Sequence, residues 1–175
     1  MSERPLEDRN RIDIGVLPAR DAVVALAPLS PEQADAIAGV FASLDPWRSY
    51  GVPEQALCHY FSKDEPGAPR YALMAGSCHV GVVGIRLNWL RGPYLQFLGV
   101  VPEFQNVGLG RLVLAWFEEE GRRACSQNVW VMVSQINTRA ISFYERHGFL
   151  HTAVLRDIVI DGRNEILMRK KLMAS

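Results

Sequence analysis

The residues Gln105-Asn106-Val107-Gly108-Leu109-Gly110 follow an apolar run (Leu95, Phe97, Leu98, Val100, Val101) and lead into an amphipathic helical pattern. A strand, a glycine-bearing turn and a helix start together form an anion cradle. The first backbone N–H groups of a helix lack internal partners and carry the positive end of the helix dipole, so they bind phosphate without a basic side chain. Glycines let a ligand approach the backbone closely. The chemistry this stretch suits is capture of a phosphorylated cofactor or substrate.

Two common cradles do not fit. A dinucleotide fingerprint needs a third glycine three positions after Gly110, where Val113 stands, and a P-loop needs Gly-Lys-Ser/Thr where this chain has Gly110-Arg111-Leu112. A second group of interest is Tyr144, with Asn137, Phe143, Gly148 and Phe149 around it. A tyrosine with its ordinary pKa of about 10 keeps its proton at neutral pH and can give it to a leaving group. The same ring could equally serve packing with Phe143 and Phe149. His59 and His79 lack spacing partners for a metal, His147 suits the negative end of a helix dipole, and no Gly-x-Ser-x-Gly elbow is present.

The elements that must position these groups are legible from periodicity. Residues 1 to 11 are rich in charge and suit a loose tail, and the alternation of Ile12, Ile14 and Val16 allows a short extra strand. A strand follows over Val23 to Ala27. Ser30-Pro31 opens a helix through Leu44, and Pro53 opens a second through Phe61. Strands are expected at Tyr71 to Met74, Val80 to Leu87, Tyr94 to Val101 and Val129 to Val133, with helices at Leu109 to Arg123 and Thr138 to His147. Gly148 suits a left-handed cap. Ala153 to Ile160 and Glu165 to Leu172 flank Asp161-Gly162, which predicts a two-residue hairpin. This order predicts a single α/β domain over residues 22–173, a mixed, largely antiparallel sheet flanked by helices, behind an N-terminal tail over 1–21.

Composition narrows the partners. Nineteen basic and nineteen acidic residues cancel, so no global field argues for nucleic acid or an anionic membrane. No apolar run approaches the ~18 residues of a bilayer span. Cys58, Cys78 and Cys125 are widely spaced and read as reduced thiols of a cytoplasmic protein, with no metal implied. A terminal strand pair suits a monomer or a homodimer.

Taken together, Gln105-x-x-Gly108-x-Gly110 and, 27 residues after Gly110, Asn137-x-x-Ala140-x-x-Phe143-Tyr144-x-x-x-Gly148-Phe149 resemble the GCN5-related N-acetyltransferase (GNAT) family, and the resemblance extends over about residues 22 to 173. It implies acetyl-CoA held between two splayed strands, Tyr94 to Val101 and Val129 to Val133. Leu98, Gly99 and Val100 would pair with the pantetheine arm. Gln105, Asn106, Val107, Gly108, Leu109, Gly110 and Arg111 would hold the pyrophosphate. Asn137 would contact the cofactor arm, and Tyr144 would act as general acid toward the departing thiolate. The implied activity is direct acetyl transfer to an amine, on a small molecule or on a peptide or protein. The alternative is a catalytically inactive acyl-CoA-binding regulatory domain.

The chain departs from the family where a base would stand: Tyr94, Gln96 and Met132 occupy positions where some members carry carboxylates. Glu103, at a strand end beside Pro102, reads as solvated. At neutral pH an α-amine of pKa about 7.8 is about one-sixth neutral and a lysine only about once in 2,500, a gap of about 3.5 kcal/mol. The chain therefore needs a weakly basic acceptor or a base reached through water, with Asp45, Glu54 and Asp157 the candidates. Asn106 and Val107 add no positive charge to the turn, which leaves backbone amides and Arg111 and predicts modest cofactor affinity. Trp47, Tyr50, Trp89 and Tyr94 fall near the acceptor loops and specify no substrate.

Overall fold

A computed structural model describes residues 11–172, so residues 1–10 of the expected N-terminal tail lie outside the described residues. The described chain runs β1 (Ile12–Leu17), β2 (Ala22–Pro28), α1 (Pro31–Ala42), α2 (Glu54–Ser62), β3 (Arg70–Ala75), β4 (Cys78–Trp89), β5 (Gly92–Val100), α3 (Leu109–Arg123), β6 (Asn128–Ser134), α4 (Thr138–Arg146), β7 (Leu150–Arg156) and β8 (Asn164–Lys171). All eight strands form one sheet in the order β1-β2-β3-β4-β5-β6-β8-β7. β1 pairs along β2 and extends the sheet at its edge. The fold is the mixed, largely antiparallel sheet with four helices that the sequence predicts.

Local chemistry explains the helix boundaries. Ser30 and Gln33 cap α1 reciprocally: the Gln33 N–H donates to Ser30 Oγ at 3.2 Å, and the Ser30 N–H donates to Gln33 Oε1 at 3.0 Å. Gly148, at φ 83°, closes α4. Helix α3 buries Leu109, Val113, Leu114, Trp116 and Phe117 against one sheet face, with α4 beside it. On the other face Ile37, Phe41, Leu57 and Phe61 of α1 and α2 pack on Val82 and Phe97. Burial of each large side chain there contributes about 1.5–3 kcal/mol.

The break that matters lies between β5 and β6. They are parallel and paired only at Tyr94 with Trp130 and Leu95 with Val131, after which they part. Just beyond, the register with β4 slips: Ile85 faces Leu95 and Gly84 faces Phe97, so Gln96 is an unpaired bulge. Bulges bend a strand and re-aim its side chains. The edge of β5 from Leu98 to Val100 is thus paired to β4 alone.

The terminal hairpin corrects the sequence reading. Its strands end at Arg156 and restart at Asn164, so residues 157–163 form a seven-residue loop and not a tight turn at Asp161-Gly162. Asp157, at φ 54°, closes it: its Oδ1 accepts the Gly162 N–H at 2.7 Å, and its own N–H donates to the Arg163 carbonyl at 3.0 Å. This register seats Leu155 against Tyr94, Trp130 and Leu167, and leaves Ile158, Val159 and Ile160 exposed. Packing of Leu155 outweighs the local turn preference.

Candidate functional site

A cleft of about 440 Å³ opens where β5 and β6 part. Leu98, Gly99 and Val100 form one wall, and Asn137, Phe143 and Tyr144 form another. Gln105, Asn106 and Gly108 to Arg111 also line it, as does the segment Leu44–Trp47. Val107 is the exception among the turn residues: it packs against the main core and does not line the cleft. Residues separated by up to a hundred positions thus meet in one cavity.

The turn owes its shape to a few backbone choices. Asn106 sits at φ 63° and Gly108 at φ 100°, conformations that L side chains avoid. The two glycines differ in purpose. A Cβ on Gly108 would meet nothing within 4 Å, whereas a Cβ on Gly110 would lie 2.9 Å from the Phe143 ring, so Gly110 serves the contact between α3 and α4. The Gln105 amide donates to the Val100 carbonyl at 3.0 Å and ties the turn to β5. No side chain caps α3, and its first helical bond runs from the Leu112 N–H to the Gly108 carbonyl. The N–H groups just before it are available to the cleft.

Sequence reading missed a cation here. Arg139, in the first turn of α4, donates to Asn106 Oδ1 at 2.5 Å and to Gln105 Oε1 at 3.4 Å. It therefore stands beside the turn as a local positive charge, which Arg111 alone had been expected to supply. Its signal was its place two residues after Asn137, which becomes meaningful only once α3 and α4 are side by side.

Asn137 and Tyr144 each combine two roles. Asn137 Oδ1 accepts the Ala140 N–H at 3.0 Å as the cap of α4, so only its Nδ2 remains for the cleft. Tyr144 packs edge-on to Phe149 and Phe143, with ring centroids 5.6 and 5.2 Å away, and also lines the cleft. Burial pushes its phenol far above the ordinary tyrosine range, so the hydroxyl keeps its proton at any physiological pH.

Of the three carboxylates considered as a base reached through water, Asp45 lines the cleft. Asp45 accepts from Ser49 and pairs with Arg48 at 2.7 Å, and those bonds hold it below the usual range. Glu54 is exposed and packs over Gly39, and Asp157 is committed to its loop. Glu103 is exposed, in line with its solvated reading. His147 sits at the end of α4 with Nδ1 2.8 Å from the Phe143 carbonyl.

A different carboxylate occupies the opposite sheet face. Glu165, at the start of β8, is 5% exposed and lies directly across from Ser134 on β6. The Tyr50 hydroxyl reaches both from the segment between α1 and α2, at 2.5 Å from Ser134 Oγ and in contact with Glu165 Oε1. Burial raises the Glu165 carboxyl, and the bond from Tyr50 partly opposes that rise. Burial, followed by that same bond, raises the Tyr50 phenol. Sequence reading passed over Glu165 because a polar residue at a strand start reads as exposed. Around this patch Trp47 stacks on Phe97 at 4.8 Å, and Trp89 tilts over Tyr94 at 4.9 Å.

Among the described residues no cluster of three or more His, Cys, Asp or Glu could hold a metal, and no helix is long and apolar enough to cross a membrane.

Comparison with known proteins matches this geometry. Residues 34–149 fit the family model described as Acetyltransferase (GNAT) family. The uncharacterized protein YdhI of Bacillus subtilis (strain 168) is 24% identical over 140 residues, spanning 73% of this chain and 85% of that protein. A GNAT-family protein from Desulfovibrio desulfuricans has a similar structure, with a TM-score of 0.70 at 22% identity over 86% of this chain and 99% of its own. A GNAT family acetyltransferase from Elizabethkingia anophelis, solved with acetyl-CoA bound, gives a TM-score of 0.55 at 16% identity over 61% of this chain and 77% of its own. Identities this low carry the fold, while the family match covers well over half of the chain.

Proposed function

The chain belongs to the GNAT acetyltransferase family, and on that premise we propose that it transfers the acetyl group of acetyl-CoA directly to a primary amine. The observation that carries this reading is the single cleft that joins the unpaired edge of β5, the free N–H groups at the start of α3 and the Tyr144 hydroxyl. The fit to the cofactor is physical. Open space over Gly108 admits an anion against the backbone, and Arg139 and Arg111 add charge beside it. The residues that would hold the pyrophosphate are Gln105 and Gly108 to Arg111. Backbone of Leu98 to Val100 and the Asn137 Nδ2 would hold the amide arm.

Acetyl-CoA supplies a thioester carbonyl that an uncharged amine can attack. The chain supplies orientation and protons. Leu98 to Val100 fix one strand edge against the acyl arm, which turns an encounter into a positioned reaction. Tyr144, held in its protonated form by burial, would give its hydroxyl proton to the departing sulfur. The segment Leu44–Trp47 shields the opening from water.

Tyr144→Phe tests this reading. It should lower kcat about 100-fold while leaving the thermal shift produced by acetyl-CoA unchanged, since a ligand that binds only the folded state must raise Tm. Unchanged turnover, with chemistry rate-limiting, would remove Tyr144 from the reaction. Acetyl-CoA binding without thiol release across a broad amine panel would instead support a regulatory binding domain.

A further inference from the structure

We propose that Glu165 takes the proton that the acceptor ammonium must lose, with Tyr50 and Ser134 fixing its carboxylate; the inference rests on the acetyltransfer reading above.

The strand registers place Glu165 on the acceptor side. Along β6, Val129, Val131 and Val133 enter the core under α3 and α4, so Trp130, Met132 and Ser134 face the other way. Along β8, Ile166 and Met168 share that core, so Glu165 and Leu167 face with Trp130 and Met132. This is the face covered by the segment between α1 and α2, which sends Tyr50 down onto it. The two rungs at Tyr94 and Leu95 leave the Ser134 end of β6 at the open end of the splay. Glu165 lies directly across from Ser134 and diagonal to Met132, a neighbour distance of about 7–8 Å. β6 itself offers this face a thioether and a hydroxyl, and neither can take a proton from an ammonium.

The groups facing Glu165 suit that task. The single Tyr50 proton donates to Glu165 Oε1, and the Tyr50 oxygen accepts from Ser134, so the chain runs Ser134 to Tyr50 to Glu165. Among the described residues Oε2 makes no hydrogen bond, which leaves it for the acceptor. Among the described residues no lysine or arginine pairs with the carboxylate, and Arg163 of the β7–β8 loop acts on Tyr50. Tyr94 of β5 shares this face with Trp130 and Leu167. Burial raises its phenol, and Tyr60, Tyr144 and Glu165 all push it further the same way.

The protons balance. One passes from the ammonium to Glu165. The free amine nitrogen bonds to the acetyl carbon and the carbon–sulfur bond breaks. Sulfur takes the Tyr144 proton, and the second nitrogen proton restores Tyr144. Glu165 then releases its proton to water. Ammonium and thioester become amide, thiol and one free proton.

Glu165→Gln keeps an oxygen for Tyr50 and removes the base. Thiol release is followed with three probes, an alanine-initiated peptide, Nα-acetyllysine amide and spermidine, across pH. Acetyl-CoA binding is followed by thermal shift, and the glutamate carboxyl by ¹³C NMR titration without acetyl-CoA. The variant should bind acetyl-CoA within about twofold, lose about 100-fold in kcat/KM at pH 7 and recover as the amine itself deprotonates. A labelled resonance that titrates above the ordinary glutamate range should vanish. Tyr50→Phe, which keeps Glu165 but removes a bond favouring its ionised form, should move the acidic limb of the rate profile to higher pH. It also tests the idea should Glu165→Gln fail to fold. An unchanged rate profile in both variants, or the absence of that resonance, would overturn the proposal. Absence of thiol release by the wild type with every probe would overturn the acetyltransfer reading, while the titration would still report on Glu165.

Discussion

The two sides of the β5–β6 splay are built differently. On the proposed cofactor side, Gln105 to Gly108 form a turn that runs into α3 and would offer mostly backbone N–H groups, with a cation beside it from α4. On the acceptor side, Tyr50 meets Ser134 across 84 positions and Glu165 across 115. In the proposed reaction the cofactor side would recognise an anion that does not change. The acceptor side would hold a group whose charge changes, and the carboxylate proposed for that task is taken largely out of water. Backbone can bind a fixed charge, whereas a movable proton needs a titratable side chain in a tuned environment.

Substitutions on each side should separate these functions. Gly108→Ala adds a methyl that meets no atom of the protein, at a φ of 100° that costs about 1–2 kcal/mol. Titration should show acetyl-CoA affinity reduced by more than about tenfold, because the added methyl occupies the space needed by the anion; an equal affinity would place the anion elsewhere. Tyr50→Phe should cost about 1–2 kcal/mol of stability in urea denaturation, because it leaves a buried carboxylate short of a donor, and should leave acetyl-CoA affinity unchanged. A drop in cofactor affinity there would show that the two sides are coupled.

Arg139→Ala should weaken acetyl-CoA about fivefold at low salt, and the loss should shrink as ionic strength rises. A salt-independent loss would mean that Arg139 acts by holding Asn106 and Gln105 in shape. The smallest effect is expected from the charge network at the margin of the acceptor face. Arg70, Lys63 and Arg86 bond to Glu65 and pull its carboxyl down to about 2, and Arg86 also donates to the bulge residue Gln96. A carboxyl depressed in the folded state adds stability above its unfolded pKa and loses it as pH falls toward the folded value. Acid titration should show that loss between about pH 4.5 and 2, and Glu65→Gln should flatten it. Glu165 has the opposite sign. Its raised carboxyl disfavours the fold as pH climbs through its folded value, so Glu165→Gln should be relatively more stable at neutral pH than in acid.

Legibility followed the range of the interactions. Helix α3, the turn before it and the Asn137-to-Phe149 stretch were readable because caps, periodicity and glycine positions act within a few residues. The terminal hairpin was not. Asp161-Gly162 is a strong turn signal, but Leu155 packs against residues from three other strands and selects a longer loop. Arg139 was missed because its partners, Gln105 and Asn106, sit in a turn more than thirty positions earlier in the chain. Asp45, Glu54 and Asp157 were candidates for a base reached through water; in the folded chain Asp45 lines the cleft and pairs with Arg48, Glu54 is exposed, and Asp157 closes its own loop.

The sequence by itself determined the order of elements, the family and the cradle, since backbone turns and helix starts are written in neighbouring residues. Only the tertiary structure decided which carboxylate is buried, which cation stands beside the turn and which purpose each glycine serves. Those properties depend on desolvation and on contacts across the sheet, and neither exists until strands far apart in the chain are brought into register.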